Sequence, residues 1–505
     1  MRRALRTAML LLLAVVCSAH VGSPDAYFRG NAGPYLIDVV VRPPTVVPGL
    51  AEVIVHSADT RVASVIVRPV FWRAGSKGAP PGDEAKPDPT QRGTWSGQLW
   101  MMQPGAYGVE VQMRGSAGSG VALVPVSAEA TAQLVMSPFL RVLLVILGTM
   151  LVAGTITAIH AAAGESQLAP GQRMTTHHTR KARRAAIIAV PVLAFILLGG
   201  ARWWENAAER YRRTLAKPVT TTTTVKDLGG VPTIEQVVTD PSWRTGVPTV
   251  MPDHGKMAHM FVIGSEYPFA LAHLHPDMPD RFTMRAVMPP LPPGRYRVYT
   301  DVVHESGLQQ TLMDSISFPQ GIARAGLKRL EPDDSWSANA RMRVVTETER
   351  DVEEGGLIMH WAGEYPVRAE RPGVLRFIIS NMDGNPVVAE PYLGMAGHAV
   401  VVREDGKVFV HLHPTGTSSM ASVTAFALRS RGDTSATGHF LLDPTMHAGD
   451  GTMMMHPDTV RTLDFPYAFP SAGRYRVYVQ MRVTGDVHTT AFEVEVRAAS
   501  VVEKK

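Results

Sequence analysis

The side chains whose placement points to chemistry are histidine and methionine: 13 of 18 histidines and 17 of 25 methionines fall in residues 251–505. Two His-Leu-His-Pro tetrapeptides occur there, at His273–Pro276 and His411–Pro414. In a strand, residues i and i+2 project from one face. His273 then stands beside His275, and His411 beside His413, while the leucine turns to the other face and the proline ends the ladder. A third imidazole precedes each pair, His259 by 14 positions and His398 by 13, a spacing that a hairpin folds back. Three imidazoles from two neighbouring strands make a nitrogen donor set suited to copper, zinc or nickel, and thioethers tilt that choice to Cu(I). Met257 and Met395 lie close to the third histidine of each set, and Met420 follows the second pair, so copper is the expected metal. The alternative is a shared packing motif, because histidine is commonly a surface or hydrogen-bonded core residue and methionine a gap-filler.

The elements that position these residues come as a repeat. Pro252–His259 aligns without a gap on Pro391–His398, the two His-Leu-His-Pro blocks follow, and Gly294–Tyr299 recurs letter for letter as Gly473–Tyr478. Three matched blocks in one order predict two related β-sandwich domains, 218–320 and 357–497, joined by a connector at 321–356. His275 precedes Arg295 by 20 positions, whereas His413 precedes Arg474 by 61, so the second copy carries an insertion. That insertion is rich in histidine and methionine. His447, Met454 and His456 are its candidate ligands, and the loop at 446–456 is the expected exchange surface.

Ahead of the repeat, the alternation in Tyr35–Val41, Ala51–Val55 and Tyr107–Val111, broken by Pro and Gly, predicts a further sandwich over 23–130. Residues 1–22 read as a secretory signal, with Arg2, Arg3 and Arg6 before the apolar run Ala8–Val16. Two apolar segments follow the first sandwich, at 139–159 and 185–202, with Arg141 and Arg202 as their only charges. The first has 21 residues, about 31 Å as a helix, and the second is followed by Trp203 and Trp204 where an aromatic belt belongs. The expected class is therefore mainly β: three Ig-like β-sandwich domains outside the membrane plus a two-helix transmembrane hairpin. Its loop, 160–184, is expected to be cytoplasmic, and a juxtamembrane helix is expected over 203–217. The expected location is the bacterial inner membrane, with the main domains periplasmic.

Several function classes are excluded or weakened. Cys17, the only cysteine, lies in the N-terminal apolar run, so disulfides, iron–sulfur clusters, cysteine nucleophiles and blue-copper centres are not expected. Storage, sensing or delivery then suits copper better than fast electron transfer. With 50 basic against 45 acidic side chains and no basic stripe outside the membrane flanks, nucleic acid is not an expected partner. Asp253-His254 and His304-Glu305 could be written as acid–base pairs, but no nucleophile elbow, phosphate loop or His-Glu-x-x-His helix accompanies them. Enzymatic activity is not expected; a hydrolase built on three imidazoles and a water is the lesser alternative.

Gly33-Pro34-Tyr35, Arg42-Pro43-Pro44 with Pro48-Gly49, Gly97–Met102 with Pro104-Gly105, and Trp203-Trp204-Glu205 carry a resemblance. In these features the first domain and the hairpin, about 40% of the chain, resemble bacterial membrane proteins with FixH-like or YtkA-like extracytoplasmic domains. The resemblance implies a metal or respiratory-complex context. The C-terminal copies, with Gly-Met-x-Gly-His and His-Leu-His-Pro, are similar to uncharacterised secreted bacterial modules. They differ from periplasmic copper chaperones with a His-x-Met motif in placing histidine at the second ligand position. The expected function is copper handling or delivery by a membrane-anchored extracytoplasmic protein, its partner a metal-accepting protein or a membrane complex. The rival is a metal-free interaction scaffold docking a membrane or envelope complex.

Overall fold

The computed structural model describes residues 25–169, 171–245, 249–266, 269–319, 331–432 and 461–499. The expected signal segment 1–22, part of the connector, and His447, Met454 and His456 lie outside the described residues. The chain is mainly β and divides into two units, residues 130–216 and the remainder.

In the larger unit the N-terminal domain runs β1 (Ala26–Ala32), β2 (Tyr35–Arg42), β3 (Gly49–His56), β4 (Val62–Phe71), β5 (Thr94–Met101), β6 (Gly105–Gly115) and β7 (Gly118–Ala128). One sheet orders β1-β2-β3-β5 and the other β4-β6-β7, each extended by a short edge strand. Period-2 alternation gives each strand one apolar face. Ile37, Val39, Val53 and Val55 of the first sheet share a core with Val65, Val67, Val109 and Val111 of the second.

The smaller unit holds two helices, α1 (Pro138–Glu165) and α2 (Thr176–Arg213), both long and apolar enough to cross a membrane. Ser137 starts α1 by accepting the Leu140 N–H at 3.2 Å, with Pro138 in the first turn. Both helices overrun the apolar segments read from the sequence, and the bend between them is short. Residues 203–213 continue α2 without a break, because Trp-Trp-Glu-Asn-Ala-Ala-Glu-Arg contains neither Gly nor Pro to stop it.

The repeat appears as two modules with the same strand order. The first contains β8 (Thr221–Leu228), β9 (Val231–Val238), β10 (His259–Gly264), β11 (Leu271–Leu274), β12 (Thr283–Val287), β13 (Gly294–His304) and β14 (Gln309–Phe318). The second contains β15 (Leu357–Trp361), β16 (Gly373–Asn381), β17 (His398–Arg403), β18 (Phe409–Leu412), β19 (Thr462–Tyr467), β20 (Gly473–Val483) and β21 (Asp486–Val496). The sheet β14-β13-β10-β11 matches β21-β20-β17-β18, and β8-β9-β12 matches β15-β16-β19. The connector is structured where it is described: Ser335–Ser337 pairs with β11 of the first module, and Met342–Val344 runs parallel to β21 of the second.

The two matching sheets face each other across a separate apolar cluster. Phe261, Ile263, Leu271 and Tyr299 meet Val400, Val402, Phe409 and Tyr478, which stand at the equivalent repeat positions. The interface is thus built on an approximate two-fold relation between the copies. Tyr299 stacks on Phe409 with ring centroids 4.2 Å apart and planes 5° from parallel. Phe409→Ala is expected to cost about 3–5 kcal/mol, read as a shift of the denaturant midpoint, because the ring is fully buried and its removal leaves a cavity between the modules.

Helix α3 (Met420–Arg431), at the start of the insertion, joins the three domains. Ser419 caps it by accepting the Ser422 N–H at 3.0 Å. Its Phe426 packs edge-on against Trp72 of the N-terminal domain and shares a small core with Met251 and Val303 of the first module. Just before it, Gly416 sits at φ +117° against the backbone of Tyr27, where an added Cβ would stand 1.9 Å from the carbonyl oxygen. Only glycine allows β1 to approach that closely.

Candidate metal centre

The facing sheets bring seven imidazoles together. The repeat strands place six: β10 pairs with β11 so that Phe261 lies opposite His273, and the same register carries His259 to the level of His275. In the second module Ala399 lies opposite Leu412, which carries His398 to the level of His413. His259, His273 and His275 offer nitrogens all within 4.8 Å of one another, and the His273 and His275 rings are 4.6 Å apart, as the i, i+2 spacing requires.

The second group differs from the sequence expectation. His398 and His413 converge with His254, a residue of the first module, rather than with His411. His254 and its repeat counterpart Leu393 both hold φ +52°, so the turn is shared and only the side chain differs. The seventh imidazole, His411, contacts both groups. Its ring centroid lies 5.4 Å from that of His259, 5.6 Å from His273, 5.3 Å from His398 and 4.4 Å from His413.

The hydrogen bonds of the first trio bear on which nitrogens are bare. Gln480 Oε1 is an acceptor, since its Nε2 donates to Ser335 and Thr489, so His273 Nδ1–H donates to it at 3.0 Å. The proton of His273 is then on Nδ1 and its Nε2 carries a lone pair. His275 Nδ1 faces Asp334 Oδ1 at 3.1 Å, which leaves its Nε2 without a hydrogen-bond partner among the described residues. His259 Nε2 faces the Asp253 carbonyl at 3.3 Å, and its Nδ1 faces His273 Nε2 at 3.1 Å. With its proton on Nδ1, His259 donates to His273; with its proton on Nε2, it donates to the carbonyl and turns a lone pair toward His273, the state in which both rings are ready for a cation. Nitrogens on one tetrahedral ion, each about 2.0–2.1 Å from it, stand about 3.3 Å apart, close to the separation found. Each ring also has its second nitrogen held by an oxygen, the pattern that orients histidine ligands around metals.

The second group is less tied. Both nitrogens of His398 and of His413, and Nε2 of His254 and His411, are buried without hydrogen-bond partners among the described residues. A buried polar atom left unpaired costs about 1–3 kcal/mol, so such a concentration calls for a ligand. Burial is the main cause holding His273, His398, His411 and His413 well below the ordinary imidazole pKa, and it depresses His259 and His275 too. The rings are therefore neutral at neutral pH, the state in which nitrogen binds metal.

Carboxylates surround the neutral rings. Asp253 is buried and accepts the Ala421 N–H at 2.9 Å. Burial pushes Asp301 up to about 6, and its Oδ2 lies 3.6 Å from His411 Nδ1. Negative charge beside neutral imidazoles in a buried site favours a cation.

These supporting residues obey the two-fold relation. Asp301 of β13 reaches His411 of the other module, and Gln480, at the matching position of β20, reaches His273. Thr311 donates to Asp301 at 2.6 Å, while Gln480 donates to Thr489 at the matching place. Gln480→Met is expected to weaken metal at the first trio by about 10–100-fold, measured by chelator competition, with the second group unaffected.

The methionine candidates stand on turns and a helix start. Met257 is 36% exposed on the turn before β10, Met395 is buried in the equivalent turn before β17, and Met420 begins α3. Sequence reasoning considered Asp253-His254 only as an acid–base pair and missed His254 as a ligand, because its partners come from the other repeat; it also missed Asp301, Asp334 and Gln480. The signal within reach was the ungapped alignment, which sets His254 and Asp253 inside a matched block.

Comparison with known proteins adds one family: residues 351–498, the second module, match a domain of unknown function (DUF8832). No curated protein matches the sequence. Among solved structures, dimeric latent PorU from Porphyromonas gingivalis is 8% identical, covering 94% of this chain and 34% of that one, with a TM-score of 0.15. Trypsin-activated alpha-2-macroglobulin from Escherichia coli is 12% identical, covering 93% and 26%, with a TM-score of 0.15. An engineered protein is 19% identical over 18% of this chain, with a TM-score of 0.14. The chain spans about a third or less of each of these three proteins.

Proposed function

We propose that this is a membrane-anchored metal-binding protein that holds copper between its two C-terminal modules. The observation that carries the reading is the convergence of seven imidazoles, five of them with a buried nitrogen that has no hydrogen-bond partner among the described residues and three oriented by oxygen partners. Neutral imidazole without thiolate suits copper best in the order of divalent affinities, with zinc the nearest competitor. In this reading helices α1 and α2 are the anchor, and the signal-like N-terminus supports a location of the β unit on the periplasmic side of a bacterial inner membrane. Burial of the ligands favours a retained ion over rapid hand-off, so copper handling here means holding the ion until a partner or a conformational opening releases it.

The test is metal content of the full chain in detergent, loaded separately with Cu(I), Cu(II) and Zn(II) and washed with a weak chelator. The wild type is expected to keep two copper ions. His273→Ala/His275→Ala and His398→Ala/His413→Ala should each keep one. No retained metal, with the variants merely less stable, would make the histidines structural and return the protein to the interaction-scaffold reading.

A further inference from the structure

We propose that the two histidine groups and His411 form one dinuclear centre, with a coordination position left open to a small oxygen donor such as water or hydroxide. The proposal rests on the copper reading above and goes beyond it by making the two ions a single unit. Three observations carry it.

The groups adjoin. Rings of different trios approach to 6.0 Å for His273 with His398 and 6.2 Å for His254 with His259, little more than the spacing inside a trio. The two groups are therefore adjacent, and ions held in them would be neighbours whose unpaired electrons can interact.

His411 belongs to neither trio and touches both. Its unpartnered Nε2 is buried, and its ring is held against the edge of Phe261, with centroids 4.8 Å apart, while Phe261 stacks on His273 at 4.3 Å. The same aromatic side chain thus fixes one ligand of the first trio and the ring that adjoins both. Asp301 stands on the Nδ1 side of His411, so the bare Nε2 is the atom available to an ion.

The donor count leaves one place. Two four-coordinate ions have eight positions between them, and seven imidazoles fill seven. The eighth is left to a donor from outside the seven rings, and among buried polar groups a small oxygen donor such as water or hydroxide suits it.

The experiment uses the full chain in detergent, loaded with Cu(II). Copper per chain is measured by mass spectrometry, and the electron paramagnetic resonance intensity of the same sample is counted. Two coppers with an intensity well below that of two isolated ions is the expected result. Azide, a probe for the open position, should change both that signal and the visible absorption. His411→Gln should raise the resonance intensity toward two independent ions. If that variant fails to fold, the wild-type intensity decides the dinuclear centre and the azide titration decides the open position. Two coppers giving the full intensity of isolated ions would overturn the dinuclear centre and leave copper binding standing. An azide-insensitive spectrum would overturn the open position. Retention of one copper would overturn the dinuclear centre, and retention of none would overturn the function as well.

Discussion

His254→Leu removes one of the two copper ions and leaves the fold in place. The substitution installs in the first repeat the residue that the second already carries: Leu393 holds the same turn at the same φ of +52°. Leucine is rare in that backbone region, but this protein builds the turn around it once already. The lost imidazole has a buried Nε2 without a hydrogen-bond partner among the described residues, so its removal deletes an unsatisfied group rather than a bond, and the stability change without metal should stay within about 1 kcal/mol. The copper held with His398 and His413 should be lost, while that at His259, His273 and His275 remains. Copper per chain and the thermal midpoint of the metal-free protein check this together. Loss of both ions, or of neither, contradicts the arrangement in which a first-module residue completes the second-module site.

The second large effect is acid lability of the metal-free protein. An unfolded imidazole takes up a proton near pH 6.5, whereas burial keeps His273, His398, His411 and His413 unprotonated well below that. Below pH 6.5 the unfolded chain therefore binds more protons than the folded one, and stability falls as pH falls. Each such ring lowers stability as pH falls from 7 to 5, and the four act in the same direction on a stability that is marginal in any domain. Denaturant unfolding of the metal-free chain should show its midpoint dropping steeply from pH 7 to pH 5. Copper should move that drop to lower pH, because a bound ion holds the rings unprotonated and must be displaced first. A flat profile over that range would mean that the rings take up protons inside the folded protein.

What the sequence revealed and what it hid have physical causes. The trio of His259, His273 and His275 was legible because strand alternation and a hairpin are local, and repetition in a second copy marked the positions. The second group was legible only in part. Its third member comes from a turn of the other module, and sheet-to-sheet docking leaves no mark in strand periodicity. The exchange of Asp301 and Gln480 across the interface was hidden for the same reason, although both occupy one position of the matched Gly-Arg-Tyr-Arg-Val-Tyr strands. The apolar helices stood out by composition, yet their ends did not. Helix propensity carried α2 through Trp203 and on to Arg213, past the point where the apolar run stops. The role of α3 in joining three domains could not be read from its sequence, because its contacts with Trp72 and Met251 are all long-range.

The central claim is that metal is bound by imidazole nitrogens buried between the two modules. X-ray absorption at the copper edge of the loaded full chain tests it most directly. The expected spectrum shows a first shell of nitrogen or oxygen donors at about 2 Å, with the outer-shell scattering of several imidazole rings and with both diminished in His273→Ala/His275→Ala. A first shell dominated by sulfur, or one of oxygens without imidazole scattering and unchanged in that variant, would contradict it.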